Sequence, residues 1–203
     1  MANTENTEAE KAYTPTEREH AAIARMAERN KKRRSGPYLT VNDQSGRKVI
    51  DIDHEDTKTG ALLLMDSVGT NSATFLNGLL NQLSNASSQG PEPNEDGVNF
   101  MLSVVQSIEP RDEMEAMLAS QMAAVHMATM TFARRLAHVE NIPQQESAEK
   151  AFNKLARTFT AQMEALKRYR TGGQQKMTVE HVTVNDGGQA IVGNVSGGGQ
   201  KKK

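Results

Sequence analysis

The sequence contains no cysteine and no tryptophan, and aromatic residues make up only 4% of its 203 residues. Without cysteine the chain can form neither a disulfide bond nor a thiolate metal site, and it has no thiol nucleophile. Because aromatic side chains are scarce, the core must be built mostly from Leu, Val, Ala and the 11 Met residues. A Met-rich helix face serves either as ordinary core or as an adaptable binding surface.

Long apolar runs are also absent. The longest, residues 61–65, has five residues, whereas a membrane-spanning helix needs about 20. The N-terminus is polar and acidic and does not show the basic start and apolar stretch of a secretory signal. We therefore expect a cytoplasmic protein with no membrane partner.

Positive charge is concentrated near the N-terminus, although the formal net charge is only -1. Residues 14–35 are predicted to form a basic helix, in which Thr14 caps, Pro15 occupies the first position and Glu17 completes a capping box. We predict contacts with nucleic-acid phosphates from the residues at its end: Arg29, Lys31, Lys32, Arg33 and Arg34. The alternative is a solvated helix end that only complements the helix dipole.

Two long amphipathic segments follow residue 109, the first predicted to be opened by Pro110, and a breaker at residues 141–144 separates them. Apolar residues recur at steps of three or four, which is typical of one helix face. In the first segment the recurring residues are Met114, Leu118, Met122, Val125, Thr129, Phe132, Leu136 and Val139, and in the second Ala148, Phe152, Leu155, Phe159, Met163 and Leu166. This spacing predicts a long antiparallel helical hairpin. Shorter helices are predicted between residues 59 and 108, with a break near Gly69.

Two segments are predicted to form short β-hairpins, residues 38–52 and 177–195. Each joins β-branched runs through turn-forming residues. The predicted fold class is therefore mainly α, with a helical domain at 38–173 that begins with the first hairpin and a C-terminal hairpin module at 174–195. Residues 1–13 are predicted to be a disordered tail and residues 196–203 a flexible Lys-rich tail.

Several stretches carry a family resemblance: residues 117–122, 165–173, 175–184 and 187–195. Together they resemble a family of uncharacterised proteins widespread in alphaproteobacteria, over residues 39 to 195. The resemblance implies a bacterial, cytoplasmic setting. No activity is established for that family, so the resemblance transfers no catalytic or binding residue.

Patterns that support catalysis or cofactor binding are not found. The histidines His126 and His138 are twelve residues apart, too far for a pair of metal ligands on one helix turn. The acidic cluster that begins at Asp51 places Asp56 where a calcium loop needs glycine and Leu62 where it needs glutamate. No phosphate-binding glycine loop and no nucleophile elbow occur. We therefore expect a non-enzymatic protein with no cofactor, no metal and no small-molecule substrate.

The prediction for function is an oligomeric interaction or adaptor protein associated with DNA through its basic helix. We expect the long hairpin to self-associate, and the C-terminal hairpin to pair with other copies; the alternative is a monomer. The residues predicted for assembly or core are Leu118, Val125, Phe132, Phe152, Leu155 and Phe159. A basic helix, a helical middle and a β-rich C-terminus also resemble the layout of phage small terminase subunits, which makes a DNA-packaging accessory protein the alternative function.

Overall fold

A computed structural model describes residues 13–88 and 90–172. Within these ranges the chain forms six helices and one two-stranded antiparallel sheet: α1 (Glu17–Lys32), β1 (Leu39–Gln44), β2 (Arg47–Ile52), α2 (Thr57–Ser67), α3 (Ala73–Ser87), α4 (Glu95–Ile108), α5 (Glu113–Leu136) and α6 (Ile142–Thr171). The predicted mainly α fold class is confirmed. The predicted hairpin at 177–195 and the predicted tail at 196–203 lie outside the described residues, as does the predicted tail at 1–13 except for Tyr13, whose hydroxyl donates to Glu19 Oε2 at 2.6 Å.

The β-hairpin turns through only two residues. Ser45 and Gly46 have φ values of 57° and 79°, and two successive left-handed residues form the turn whose twist matches paired strands. On the outer edge of β1, the Leu39 N–H donates to Asn99 Oδ1 (2.8 Å) and the Val41 N–H donates to Glu95 Oε2 (2.6 Å). Side chains of α4 thus satisfy the free edge of the sheet and attach the hairpin to the helices.

The core lies between α2, α3, α4, β1 and the first half of α5. The α5 face that enters this core differs from the predicted one, because Met114 is 58% exposed. The buried residues of α5 are mostly small: Ala116, Ala119, Ser120, Met122 and Ala123, together with Glu115. The prediction was based on the spacing of large apolar side chains. The buried face of α5 is formed mostly by small ones, which allow α3 and α4 to approach the α5 backbone closely.

Three helix boundaries differ from the prediction. The capping box of α1 joins Thr16 and Glu19, two residues later than the predicted pair. Pro110 lies before α5, which Asp112 caps. Asn141 caps α6, so Pro143 stands in its first turn and does not separate the helices. Proline is favoured at the start of a helix because its missing N–H has no partner there in any case.

A buried ion pair connects the start of α5 to the end of α6. Glu115, only 1% exposed, accepts hydrogen bonds from Arg170 Nη2 (2.8 Å) and Nε (3.2 Å). Arg170 Nη2 also donates to the carbonyl oxygen of Ile108 at 2.8 Å. Burial raises the pKa of Glu115, but the bonds from Arg170 and from the Arg111 backbone N–H outweigh it and leave that pKa below its ordinary value.

Candidate functional site

The end of α1 carries the predicted nucleic-acid residues. None of the 16 residues of α1, all of them described, is buried. Arg29, Lys32 and Arg33 are exposed, and Lys31 forms a surface ion pair with Glu28 at 2.9 Å. Such exposed pairs contribute little to stability, so these four side chains are accessible to a polyanion.

Arg34, the fifth predicted residue, is engaged in the fold. Its Nη2 donates to the carbonyl oxygen of Pro110 at 3.1 Å, and its Nη1 lies 3.9 Å from the carboxylate of Asp66. It joins the segment after α1 to the turn between α4 and α5. Arg34 therefore has a structural role in addition to its place in the basic cluster.

A polar cleft of about 290 Å³ lies between the end of α1 and α4. It is lined by Arg33, Arg34, Ser35 and Tyr38 on one side and by Ser103 and Ser107 on α4 on the other. Tyr38 is 68% exposed. The hydroxyls of Ser103 and Ser107 donate to the carbonyl oxygens of Phe100 and Val104 on their own helix. The guanidinium group of Arg33 suits phosphate oxygens, and an exposed aromatic ring suits an unstacked base.

Sequence reasoning missed Tyr38, Ser103 and Ser107. The four-residue spacing of the two serines was a signal that they share a face of α4. Nothing local showed that this face lies opposite Arg33, because the two sides of the cleft are about 70 residues apart in the chain. The cleft is a product of tertiary packing.

The predicted assembly residues lie in the helical hairpin of α5 and α6. All six of them, Leu118, Val125, Phe132, Phe152, Leu155 and Phe159, are half-buried. No residue of α5 beyond Ala123 is buried, and α6, described over its whole length, buries only Ala148. We call residues 125–136 and 142–159 the distal arm. Its large apolar side chains are only half-buried or exposed, and Met127 joins it to the core.

Two grooves flank the distal arm. One, of about 470 Å³, lies at the α5–α6 connection; the other, of about 820 Å³, lies between α5 and the end of α3. Phe132, Arg135 and His138 line both. The Arg135 guanidinium lies 5.0 Å from the centre of the Phe132 ring, a cation–π distance. The arm thus offers partly covered apolar surface with positive charge at its margin.

His126 has a packing role. Its ring centre is 6.1 Å from that of Phe100 on α4 and 6.3 Å from that of Phe159 on α6. These distances are typical of aromatic pairs, so this histidine helps to join three helices at the base of the distal arm.

The acidic cluster serves a helix start, since Asp56 caps α2 by accepting from the Thr59 N–H at 2.6 Å. Over residues 13–88 and 90–172, no group of three or more His, Asp or Glu side chains is placed to hold a metal ion. None of the described helices combines the length and the apolar character that crossing a membrane requires.

Comparisons with models of protein families, with curated proteins and with solved structures find no match to this chain. The resemblance to an alphaproteobacterial family therefore stays a prediction. The polar cleft and the distal arm are the two surfaces that bear on function.

Proposed function

We propose that this protein is a non-enzymatic interaction protein that self-associates through its distal arm. The observation that carries the proposal is the incomplete burial of the large apolar side chains that were predicted for assembly and lie in the arm: Val125, Phe132, Phe152, Leu155 and Phe159. Completing the burial of one such side chain stabilises by on the order of 1 kcal/mol.

A second copy of the same arm is the natural occupant of this surface. Two helices share a single interface, whereas four helices enclose a core on all sides. A two-fold arrangement places the same apolar face on both partners, so one surface is complementary to itself. The arm also projects beyond the buried part of α5, which ends at Ala123, and its distal end is therefore open to a partner.

The experiment is sedimentation of the full chain over a concentration series. We expect wild type to sediment as a dimer or larger, and Met130→Glu to shift it to monomer, because Met130 lies in the arm and is 54% exposed. The matched control is Leu62→Glu, on α2, at a residue that is 60% exposed. A wild-type protein that remains monomeric throughout the series contradicts the proposal, as does equal dissociation by both variants.

A second function, association with DNA, is favoured by the polar cleft beside the basic end of α1. In the cleft, hydroxyl groups and an exposed tyrosine lie beside Arg33. A helix end that is only solvated does not require such neighbours. Phosphate contacts give a binding affinity that weakens linearly with salt on logarithmic axes. A DNA-packaging accessory role, like that of small terminase subunits, remains the alternative within this function, supported by layout alone.

The test of DNA association is duplex affinity across a salt series. We expect micromolar binding by wild type and its loss when Arg29, Lys31, Lys32 and Arg33 are all replaced by Ala, with Arg34 retained for the fold. The control variant removes four exposed positive charges from α6: Lys150, Lys154, Arg157 and Lys167. Equal weakening by the two variants would show that only total charge matters, and no binding at low salt would end this second proposal.

A further inference from the structure

An apolar groove lies at the base of the helical hairpin, away from the distal arm. We call it the basal groove. Its volume is about 260 Å³, and it is lined by Met114, Glu115, Met117, Leu118, Gln121, Ala165 and Tyr169, of which Glu115 is held in the ion pair with Arg170. Met114 is 58% exposed, Met117 39% and Tyr169 53%. Two methionines beside an aromatic ring form a surface that adapts to an apolar partner.

The described chain leaves α6 next to this groove. Gly172 has a φ of 60° and caps the helix by donating its N–H to the carbonyl oxygens of Arg168 and Tyr169. A left-handed glycine at this position turns the chain back over the last helical turn, and an apolar contact between the following residues and that turn commonly accompanies it. Tyr169, in that last turn, is itself part of the groove.

The residues that follow in the sequence have the character of a docking segment. Residues 177–184 read Met-Thr-Val-Glu-His-Val-Thr-Val, a β-branched stretch with apolar side chains at alternate positions over Met177 and Val179 and again over Val182 and Val184. A short β segment of this kind has marginal stability by itself and needs a surface to cover one face. The basal groove provides such a surface.

The length of the connection also fits. Five residues from Gly172 to Met177 span at most about 17 Å when extended. The α6 side of the groove, from Ala165 to Tyr169, covers only about 6 Å along the helix axis. A tether this short raises the effective concentration of the segment to the millimolar range, which favours the segment of the same chain over one from a second copy. We propose that the basal groove binds residues 177–184 of its own chain.

The test uses the absence of cysteine from the chain, because any introduced pair is then the only pair of thiols. Full-length Met117→Cys with Val179→Cys is oxidised mildly and the disulfide is located by mass spectrometry. We expect rapid crosslinking within one chain, at least tenfold faster than for the control pair of Leu62→Cys with Val179→Cys. Mixing isotopically labelled and unlabelled copies separates the two kinds of crosslink. Predominant crosslinks between chains, or equal rates for the two pairs, would overturn the proposal.

A second measurement leaves the groove residues unchanged. In full-length Val179→Asp with Val182→Asp, we expect peroxide to oxidise Met114 and Met117 several-fold faster than in wild type. Met130, comparably exposed on the same helix, is the internal control and should react at an unchanged rate. Unchanged oxidation of Met114 and Met117 would contradict docking of the segment in the basal groove.

Discussion

At the residue scale, Glu115 is the most constrained charged group of the helical hairpin. It is almost fully buried, and both of its oxygens accept hydrogen bonds from Arg170. An isolated buried carboxylate is strongly disfavoured, and a pair of this geometry offsets that cost without necessarily adding stability. Its contribution is therefore to specify one arrangement: α6 must end where Arg170 can reach both Glu115 and the carbonyl of Ile108.

Replacing Glu115 by Gln should destabilise the fold by about 2 kcal/mol, less than the roughly 3–5 kcal/mol typical of breaking a fully buried pair. The reduction follows because the Arg170 side chain is 28% exposed and water screens part of its unpaired charge. Urea unfolding followed by circular dichroism measures the change. Glu164→Gln, on the exposed surface of α6, is the control and should unfold as wild type does; an equally stable Glu115→Gln would contradict this role.

The same ion pair predicts a pH dependence. The pKa of Glu115 in the folded protein lies below its ordinary value of 4.5, so the folded state favours the ionised form. The resulting stability is fully present above that ordinary value and is lost as the pH falls through the lower folded pKa. We expect the melting temperature of wild type to fall more steeply than that of Glu115→Gln as the pH is lowered below 4.5. Parallel curves for the two proteins would refute the assignment.

At the scale of the elements, the end of α2 lies against the turn between α4 and α5 with no room for a side chain. Gly69 has a φ of 70°, and a Cβ built on it would lie 2.3 Å from the carbonyl oxygen of Pro110. Only glycine combines that backbone conformation with so close an approach. Arg34 donates to the same carbonyl oxygen, so the chain before β1, the end of α2 and the start of α5 meet at one point.

Gly69→Ala should therefore destabilise the protein by at least the roughly 1–2 kcal/mol of a left-handed alanine, with the steric overlap added. The matched control is Gly78→Ala in α3, where an added Cβ meets nothing within 4 Å. That substitution should stabilise by up to about 1 kcal/mol, since alanine is the better helix former. Thermal unfolding of the two variants gives changes of opposite sign, and a tolerated Gly69→Ala would show that the junction relaxes easily.

At the scale of the whole molecule, the described chain divides into a covered part and an uncovered part. The covered part is the core of α2, α3, α4 and β1 with the first half of α5. The uncovered part is the distal arm, in which helix α6 has a single buried residue, Ala148. Apolar burial stabilises roughly in proportion to the area removed from water, so the half-buried arm has more to gain from a partner than the covered part has.

Self-association through the arm predicts that stability depends on protein concentration. A partner that binds only the folded chain raises the melting temperature by mass action. We expect the melting temperature of wild type to rise with concentration and that of Met130→Glu to remain constant. Calorimetry over a concentration series makes the measurement, and a wild-type melting temperature that does not change with concentration would contradict association through this surface.

The sequence alone determined the mainly α class, the two long helices, the helix break near Gly69 and the first β-hairpin. Those features depend on local physics: apolar periodicity, helix capping and the backbone preferences of turn residues. The helix ends were less well predicted, because Pro110 and Pro143 each suit a helix start and a local rule cannot choose between neighbouring positions.

Only the tertiary structure decided which surfaces meet. It brought Arg34 to the carbonyl oxygen of Pro110. It buried the alanine face of α5 and left Met114 exposed. It also joined Glu115 to Arg170 across 55 residues. It also placed Tyr38 opposite Ser103 and Ser107. Contacts of this kind depend on how helices pack against one another, and the pattern of a single helix shows that a face is apolar or polar without showing what will cover it.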